Sequence, residues 1–294
     1  MTNPANLVIT VTKNDAIFLI PLIKSMVTQS SRPSNWIIVD DNSSDNTREI
    51  VLAASKEHDW ITYVMANPIP QNIPRGERIS QLFLFGLDSC GSNWEFCSKI
   101  DSDMILGDTY FEEIFNQFRN NPKLGIASGN CIIQIGRKSR IEKVPGDHTR
   151  GGLKTYRGEC YSEISGVVPT DGWDTIDNIM AQMKGWETRN FPEILVRHSR
   201  PTGYNNGMIK TAYEEGKKAH FLGYSTLYLF ARSFHKMFNS PPFVIGGFSM
   251  MVGYLVRLLS NGRRFEDKEA IRFLKRKQIS RLTFGLVSKN DNKH

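Results

Sequence analysis

Two aspartates one residue apart, Asp101-Ser-Asp103, follow a short apolar run at 96–100. Carboxylates held that close repel each other unless a cation sits between them. Hard oxygen donors suit Mg²⁺ or Mn²⁺, and Mg²⁺ completes its shell with water and substrate phosphates. Asp101 and Asp103 are therefore candidate ligands of a divalent cation that carries a diphosphate. A second acidic cluster, Asp40-Asp41, ends another apolar run at 36–39. There Asp40 is placed to accept hydrogen bonds from a base N–H or a ribose hydroxyl. The polar residues after it, Ser43, Ser44, Asp45 and Thr47, are candidate N-caps for the next helix. Arg200 is a natural bidentate partner for phosphate. No GxGxxG follows the first apolar run and no GxxxxGK[ST] occurs anywhere. Dinucleotide-binding and P-loop readings lose their main support.

The elements that must hold these residues alternate. Residues 7–11 read as a buried strand, 16–29 as a helix, 36–39 as a strand and 48–57 as a helix. Residues 60–65 then read as a strand, 79–88 as a helix and 94–100 as a strand. A helix from about 109 to 120 and a strand at 125–135 follow. This order predicts an α/β fold with a doubly wound sheet. Ligands of such sheets bind beyond the carboxyl ends of the strands, where both acidic clusters fall. Residues 136–160 are rich in Gly, Lys and Arg, show no period, and read as a long mobile loop. A carboxylate at Asp174 opens a helical run at 175–184, where it is suited to cap and to stay ionised beside the dipole.

The chain has 294 residues, 40% apolar and 23% charged, which excludes a mainly disordered or fibrous protein. Its formal charge of +7 is unevenly placed. Residues 197–294 hold 18 Lys/Arg against 6 Asp/Glu, so they carry +12 and residues 1–196 carry −5. The basic end calls for an anionic partner. Residues 221–238 are dense in aromatics, Pro241-Pro242 breaks the chain, and Phe243–Leu259 is almost wholly apolar. At 1.5 Å per residue that second stretch reaches about 25 Å, short of the ~30 Å hydrocarbon core. Helices lying in a membrane interface, or a re-entrant hairpin, fit better than a span. Arg263, Arg264, Lys275, Arg276, Lys277 and Arg281 would meet anionic headgroups. The expected division is a catalytic domain at 1–205 and a helical region at 206–294. Four cysteines, at 90, 97, 131 and 160, form no close CxxC pair and read as reduced thiols. The polar start at 1–6 and the short run at 7–11 predict no secretion signal.

Ile37-Ile-Val-Asp-Asp-Asn-Ser-Ser-Asp-Asn-Thr47, followed about sixty residues later by Ile100-Asp-Ser-Asp103, resembles the family 2 glycosyltransferases of GT-A fold. The resemblance covers roughly residues 5–200. It implies a GT-A type mixed sheet with flanking helices and inverting transfer of a sugar from a nucleotide diphosphate to a hydroxyl. By that likeness Asp40 or Asp41 would hold the nucleoside and Thr12 would line the base pocket. Asp101 and Asp103 would form the DxD that meets Mg²⁺ or Mn²⁺ and diphosphate. Where the family often has Pro-x-Tyr-Asn, this chain has Val11-Thr-Lys-Asn14, so only Asn14 matches. The family's base lies about a dozen residues before a Gly, and counting back from Gly185 reaches Trp173-Asp174. Asp174 is then the catalytic base, with Asp171 and Asp177 as neighbours, and Trp173 is a candidate to stack on a sugar. His198 would complete the metal shell or touch the diphosphate. His148, Arg150 and Arg157 are candidates to close over the donor. The likeness is nearest to enzymes of bacterial envelope polysaccharides. It implies a nucleotide-sugar donor, a UDP-sugar first, a lipid-linked glycan acceptor, and work at the cytoplasmic side of the cell membrane.

Three other readings compete. A sugar nucleotidyltransferase would need a Gly-rich basic loop after the first strand, and Thr12-Lys-Asn-Asp15 has one Lys and no Gly. A non-catalytic membrane adaptor would be favoured by loss of Asp101, Asp103 or Asp174, and all three are present. A nucleic-acid binder ranks low, because Phe, Leu and Met interleave the basic tail as a membrane face does rather than as stacking platforms do.

Overall fold

A computed structural model describes residues 4–70, 72–91, 93–135, 138–142, 144–200 and 207–287. The chain divides into two compact units, Met1–Arg200 and Pro201–His294. The expected boundary at 205/206 and the Pro201-Thr-Gly203 part of the Arg200 motif lie outside the described residues.

The first unit runs β1 (Asn6–Thr12), α1 (Ala16–Val27), β2 (Asn35–Asp40), α2 (Thr47–Glu57), β3 (Ile61–Met65), α3 (Arg75–Asp88) and β4 (Phe96–Ile100). It continues β5 (Met104–Ile105), α4 (Tyr110–Asn120), β6 (Leu124–Ile135), β7 (Lys138–Ile141), β8 (Leu153–Arg157), α5 (Gly158–Glu163), α6 (Trp173–Met183) and β9 (Glu187–His198). One sheet takes the order β3-β2-β1-β4-β8-β6-β9-β5, and β7 pairs with β6. The first four strands in that order are mutually parallel. The turn to antiparallel pairing comes at β4–β8.

Side chains alternate along these strands, so each strand feeds two cores. Val8, Trp36 and Ile38 pack with Leu19, Leu22, Val51, Phe111 and Phe115 from α1, α2 and α4. Leu7, Ile9, Ile37 and Val39 face Leu82, Phe83 and Trp173 from α3 and α6. Burial on both faces explains why the strands read as continuous apolar runs. Gly86 lets α3 lie close on β1 and β2, since a Cβ there would come within 2.7 Å of Val39 Cγ2 and 2.9 Å of Ile9 Cγ2.

The reading of 136–160 as one mobile loop is corrected. The segment holds β7, β8 and the start of α5. β8 is a central strand, paired on one side with β4 and on the other with β6. Its charge concealed it. Lys154 is fully buried and bonds Asp177 at 2.7 Å, so a lysine that reads as solvated is part of the interior. Arg157 is also corrected. It donates to the carbonyls of Phe118 and Leu124 at 2.8 and 3.0 Å and lies over the Phe96 and Phe118 rings. It staples β8 to α4 and does not close over a donor.

The second unit holds α7 (Met208–Phe221), α8 (Thr226–Asn239), α9 (Phe243–Leu259) and α10 (Lys268–Val287). The aromatic stretch at 221–238 is therefore divided between the end of α7, a turn and α8. Gly223, with φ 71°, sits in the turn that separates α7 from α8. No helix among the described residues is long and apolar enough to cross a membrane.

Asp177 is held by Lys154 and by the Tyr156 hydroxyl at 2.5 Å. Burial pushes its carboxyl up against the opposing pull of Lys154. Removing one partner of such a pair strands the other in the interior. Lys154→Met is expected to cost about 3–5 kcal/mol of unfolding free energy. Lys154→Met with Asp177→Asn is expected to regain at least half of that loss, as read from urea midpoints.

Candidate active site

The register brings the candidates together. Thr12 at the end of β1 pairs with Asp40 at the end of β2, and Ile9 pairs with Lys99, two residues before Asp101. The acidic clusters thus share the carboxyl edge of neighbouring parallel strands, on either side of β1.

Asp40 is buried and frames the β2–α2 loop. Its Oδ1 accepts from the Ser43 N–H at 2.9 Å and the Ser43 hydroxyl at 2.6 Å, and its Oδ2 accepts from Tyr63 at 2.9 Å. Burial and Asp40 together push the Tyr63 phenol up to about 12. Asp41 is gripped in a fork by Arg78, at 2.6 and 2.5 Å, and by Lys13 at 3.3 Å. Asn14, at φ 53°, accepts from the Ser44 N–H at 2.7 Å and ties the β1–α1 loop to the β2–α2 loop. The buried Thr12 hydroxyl has no hydrogen-bond partner among the described residues. A buried polar group left unpaired costs free energy, so such a hydroxyl calls for a ligand or water.

Asp101 and Asp103 turn to different cations. Asp101 bonds the buried Lys99 ammonium. Asp103 Oδ2 accepts from Arg200 Nε at 2.8 Å and lies 3.4 Å from His198 Nε2. Burial works against ionising Asp103, but His198 and Arg200 outweigh it and hold the carboxyl at about 2. Burial likewise works against a charged His198, and its two carboxylates outweigh that and raise it to about 9. The second of these is Glu142, 3.4 Å from His198 Nδ1. Arg150 fixes Glu142 at 2.9 Å and bonds Asn130 at 3.0 Å, so it anchors the β7 side of the site and is not part of a loose loop. Arg200 also reaches Asp15 at 2.8 Å.

A hard cation with metal–oxygen bonds of about 2.1 Å takes neighbouring donors roughly 3 Å apart. Asp103 Oδ2 and His198 Nε2, 3.4 Å apart, come near that spacing, so this pair suits Mg²⁺ or Mn²⁺ once His198 gives up its proton. Cys131, Glu142 and His198 also place three donor atoms within 4.8 Å. Burial pushes the Cys131 thiol up to about 12, and Glu142 is taken by Arg150, so this triplet is the poorer cation site. Glu142 instead lies 3.4 Å behind His198, the place a carboxylate takes in sites where an imidazole binds a metal.

Asp174 lies in the first turn of α6, two residues past an N-cap at Gly172, which has φ 80°. It is therefore inside the helix and not at its cap. Gly151 and Gly152 stand between it and the DxD. A Cβ on Gly151 would lie 3.3 Å from Asp174 Oδ2, and a Cβ on Gly152 would lie 2.6 Å from Asp101 Oδ2. Consecutive Cα atoms are about 3.8 Å apart, so both carboxylates lie against a single Gly-Gly dipeptide. Asp171 lies against Gly76 at the start of α3. Asp177 is buried beneath the site. Trp173 is corrected. It is only 5% exposed, stacks on Phe83 at 6.5 Å, and has Lys99 and Lys154 over its ring. It packs and does not present a face to a sugar. The His148 N–H bonds the Pro145 carbonyl, in a turn before Arg150.

The single-sequence reading missed Lys99, Arg78, Glu142 and the Gly151-Gly152 pair. Lys99 had a signal, being the one charge inside the run at 96–100. Adjacent glycines inside a basic segment were the signal for a close approach.

The sheet and its flanking helices fit the GT-A fold. Residues 7–144 match the family described as Glycosyl transferase family 2, so the chain carries a family 2 glycosyltransferase domain. It is 28% identical over 117 residues to the poly-beta-1,6-N-acetyl-D-glucosamine synthase of Staphylococcus epidermidis, covering 36% of this chain and 24% of that protein. It is 30% identical over 127 residues to the GalNAc(5)-diNAcBac-PP-undecaprenol beta-1,3-glucosyltransferase of Campylobacter jejuni, covering 43% of this chain and 38% of that protein. The chain thus spans well under half the length of these curated relatives. In fold it resembles the mannosyltransferase PcManGT from Pyrobaculum calidifontis, solved in complex with GDP-Man and Mn²⁺. That likeness has a TM-score of 0.58 at 14% identity, over 99% of this chain and 81% of the other.

A methyl at Gly152 would push the Asp101 carboxylate away from Lys99. Gly152→Ala is expected to lower sugar-donor turnover by about 10–100-fold, since small misplacements of reacting groups cost that much. The melting temperature should move by only a few degrees, because the strain falls on one partly exposed side chain.

Proposed function

We propose that this chain is a metal-dependent, inverting glycosyltransferase of hexosyl-transferring type. It moves a sugar from a nucleotide diphosphate donor to a lipid-linked or polysaccharide acceptor at the cytoplasmic face of a membrane. The observation that carries this reading is the placement of Asp174 and Asp101 on the two sides of Gly151-Gly152. It brings a candidate base close to the candidate diphosphate site, which supports a displacement with Asp174 as the proton acceptor.

In this reading Thr12, Asn14, Asp40 and Asp41 form the nucleoside end, and the unpaired Thr12 hydroxyl supplies one hydrogen bond. Asp103, His198 and Asp101 would hold Mg²⁺ or Mn²⁺. When bound, the cation offsets the charge that grows on the departing diphosphate. Arg200 stands beside Asp103 and adds guanidinium charge on the same side. Asp174 takes the proton of the acceptor hydroxyl onto its carboxylate. The acceptor oxygen bonds to the anomeric carbon as the carbon–oxygen bond to the diphosphate breaks, and that electron pair leaves on the diphosphate. Attack from the face opposite the leaving group inverts the centre. The Campylobacter relative's name specifies an undecaprenol-linked glycan, which supports a lipid-linked acceptor here. UDP-sugars are the first donors to test, by resemblance to the family.

The test is a panel of UDP-, GDP- and dTDP-sugars with and without Mn²⁺ or Mg²⁺, read by calorimetry and by donor hydrolysis. One donor should bind only with metal, and Asp103→Ala should abolish that binding. Asp174→Asn should bind it with little change in Kd while kcat falls about 10²–10⁴-fold, the usual worth of a general base. Failure of every nucleotide-sugar to bind would overturn the proposal. Glu142→Gln should weaken Mn²⁺ binding by about 10-fold or more, the usual cost of losing a carboxylate behind a ligating histidine.

A further inference from the structure

Helix α9 is apolar around most of its surface, Arg257 in its last turn being its one charge, but it is buried on only one side. Its inner stripe, Gly246, Gly247, Met250, Gly253 and Tyr254, packs inside the second unit. The glycines permit this. A Cβ at Gly253 would collide with the Tyr213 carbonyl of α7, and one at Gly247 would collide with the Ser233 carbonyl of α8. α8 returns antiparallel to α9, since the Thr226 hydroxyl at its start meets Tyr254 near the end of α9 at 3.1 Å. The opposite stripe of α9, through Val244, Phe248, Leu255 and Leu259, faces outward, with Phe248 60% and Leu259 85% exposed. α8 repeats the pattern with Leu227, Phe230, Phe234 and Phe238 at helical spacing. Phe234 and Phe238 are each 64% exposed and meet edge to face at 5.2 Å beside the Pro241-Pro242 turn.

A helix that is hydrophobic all round belongs in a core or in lipid. An exposed apolar surface of this extent marks a docking site. Its charged neighbours indicate what docks. At the carboxyl end of α9, exposed Arg257 lies among Leu255, Val256, Leu258 and Leu259, and exposed Arg263 and Arg264 follow. The acids of α7 are already paired, Glu214 with Lys217 and Glu215 with Lys236. Aromatics and leucines beside exposed arginines match a bilayer interface with anionic headgroups. A 17-residue helix reaches about 25 Å, too short to span but suited to lie flat.

We propose that the outer faces of α8 and α9 form a monotopic docking surface that seats on an anionic lipid bilayer. The apolar stripes enter the headgroup–acyl boundary, and Arg257, Arg263 and Arg264 hold the lipid phosphates. This deepens the membrane part of the proposed function by naming the surface that meets lipid. It does not depend on catalysis, so its test is read without any sugar donor.

The experiment is co-sedimentation of the full chain with vesicles of phosphatidylcholine alone or mixed with phosphatidylglycerol, at low and high salt. The chain should bind the mixed vesicles much more tightly, with the preference fading in salt. The triple variant Phe234→Ser/Phe238→Ser/Phe248→Ser should bind at least about tenfold more weakly. Arg257→Gln/Arg263→Gln/Arg264→Gln should lose roughly tenfold or more on mixed vesicles and little on phosphatidylcholine. Both variants should keep the wild-type far-ultraviolet spectrum and the wild-type donor hydrolysis rate measured without lipid. Wild type remaining in the supernatant with every vesicle would overturn the proposal. So would vesicle binding that ignores the phenylalanine variant. A wild-type dimer that the same variant converts to monomer, with no vesicle binding, would assign the surface to a second copy of the chain instead.

Discussion

Two lysines face each other across neighbouring antiparallel strands in the interior of the first unit. Lys99 on β4 is in register with Lys154 on β8, and both are essentially inaccessible to water. Like charges directly opposite on a sheet are destabilising, and buried ammonium groups are more so. The arrangement is tolerable because each lysine has its own carboxylate, Asp101 for Lys99 and Asp177 for Lys154. The Trp173 ring supplies a negative π face to both, at 5.6 and 5.3 Å. Asp101 belongs to the candidate metal-binding motif, and Trp173 and Asp177 flank the candidate base on α6. One electrostatic constraint therefore ties together the two halves of the candidate site.

The rest of the site extends from that lock. Lys154 also donates to the Asp174 carbonyl at 2.7 Å, which pins the first turn of α6 from below. From above, Gly151 and Gly152 bring the backbone against Asp174 and Asp101 without side chains to part them. The strand that carries Lys154 is the one joining the parallel half of the sheet to the rest, so the lock also sits where the topology changes. Position here comes from paired charges in a low-dielectric interior, where geometry is held more stiffly than at a wet surface.

The parallel half of the sheet was legible in the sequence because its physics is one-dimensional. Runs such as Val8–Ile9 and Ile37–Val39 are apolar, β-branched and punctuated by polar turns, and they read as buried strands without any partner in view. Asp40, Asp101 and Asp103 were legible for the same reason, since they end such runs. β8 was not, because Lys154 is interior only by virtue of Asp177, which lies 23 residues away. Trp173 failed in the other direction. An aromatic beside a candidate base can serve a sugar or the core, and only Phe83 and the two lysines around it decide. Glu142 carries no local signal, because its meaning depends on His198, 56 residues later.

The two aspartates of the DxD are not equivalent. Lys99 is buried, and its carboxylate partner among the described residues is Asp101. Detaching it would leave an ammonium unpaired in the interior, a cost of several kcal/mol in systems of this kind. Asp103 has partners that each hold a second carboxylate, Arg200 through Asp15 and His198 through Glu142. Either can let go of Asp103 and remain paired. A divalent cation held here would therefore meet a fixed charge at Asp101 and an exchangeable one at Asp103. Asp103 would be the carboxylate free to turn to such an ion, while Asp101 stays with Lys99 beside Trp173. On this account the candidate metal-binding motif divides into a carboxylate that yields and a carboxylate that keeps the candidate base and the candidate diphosphate site aligned.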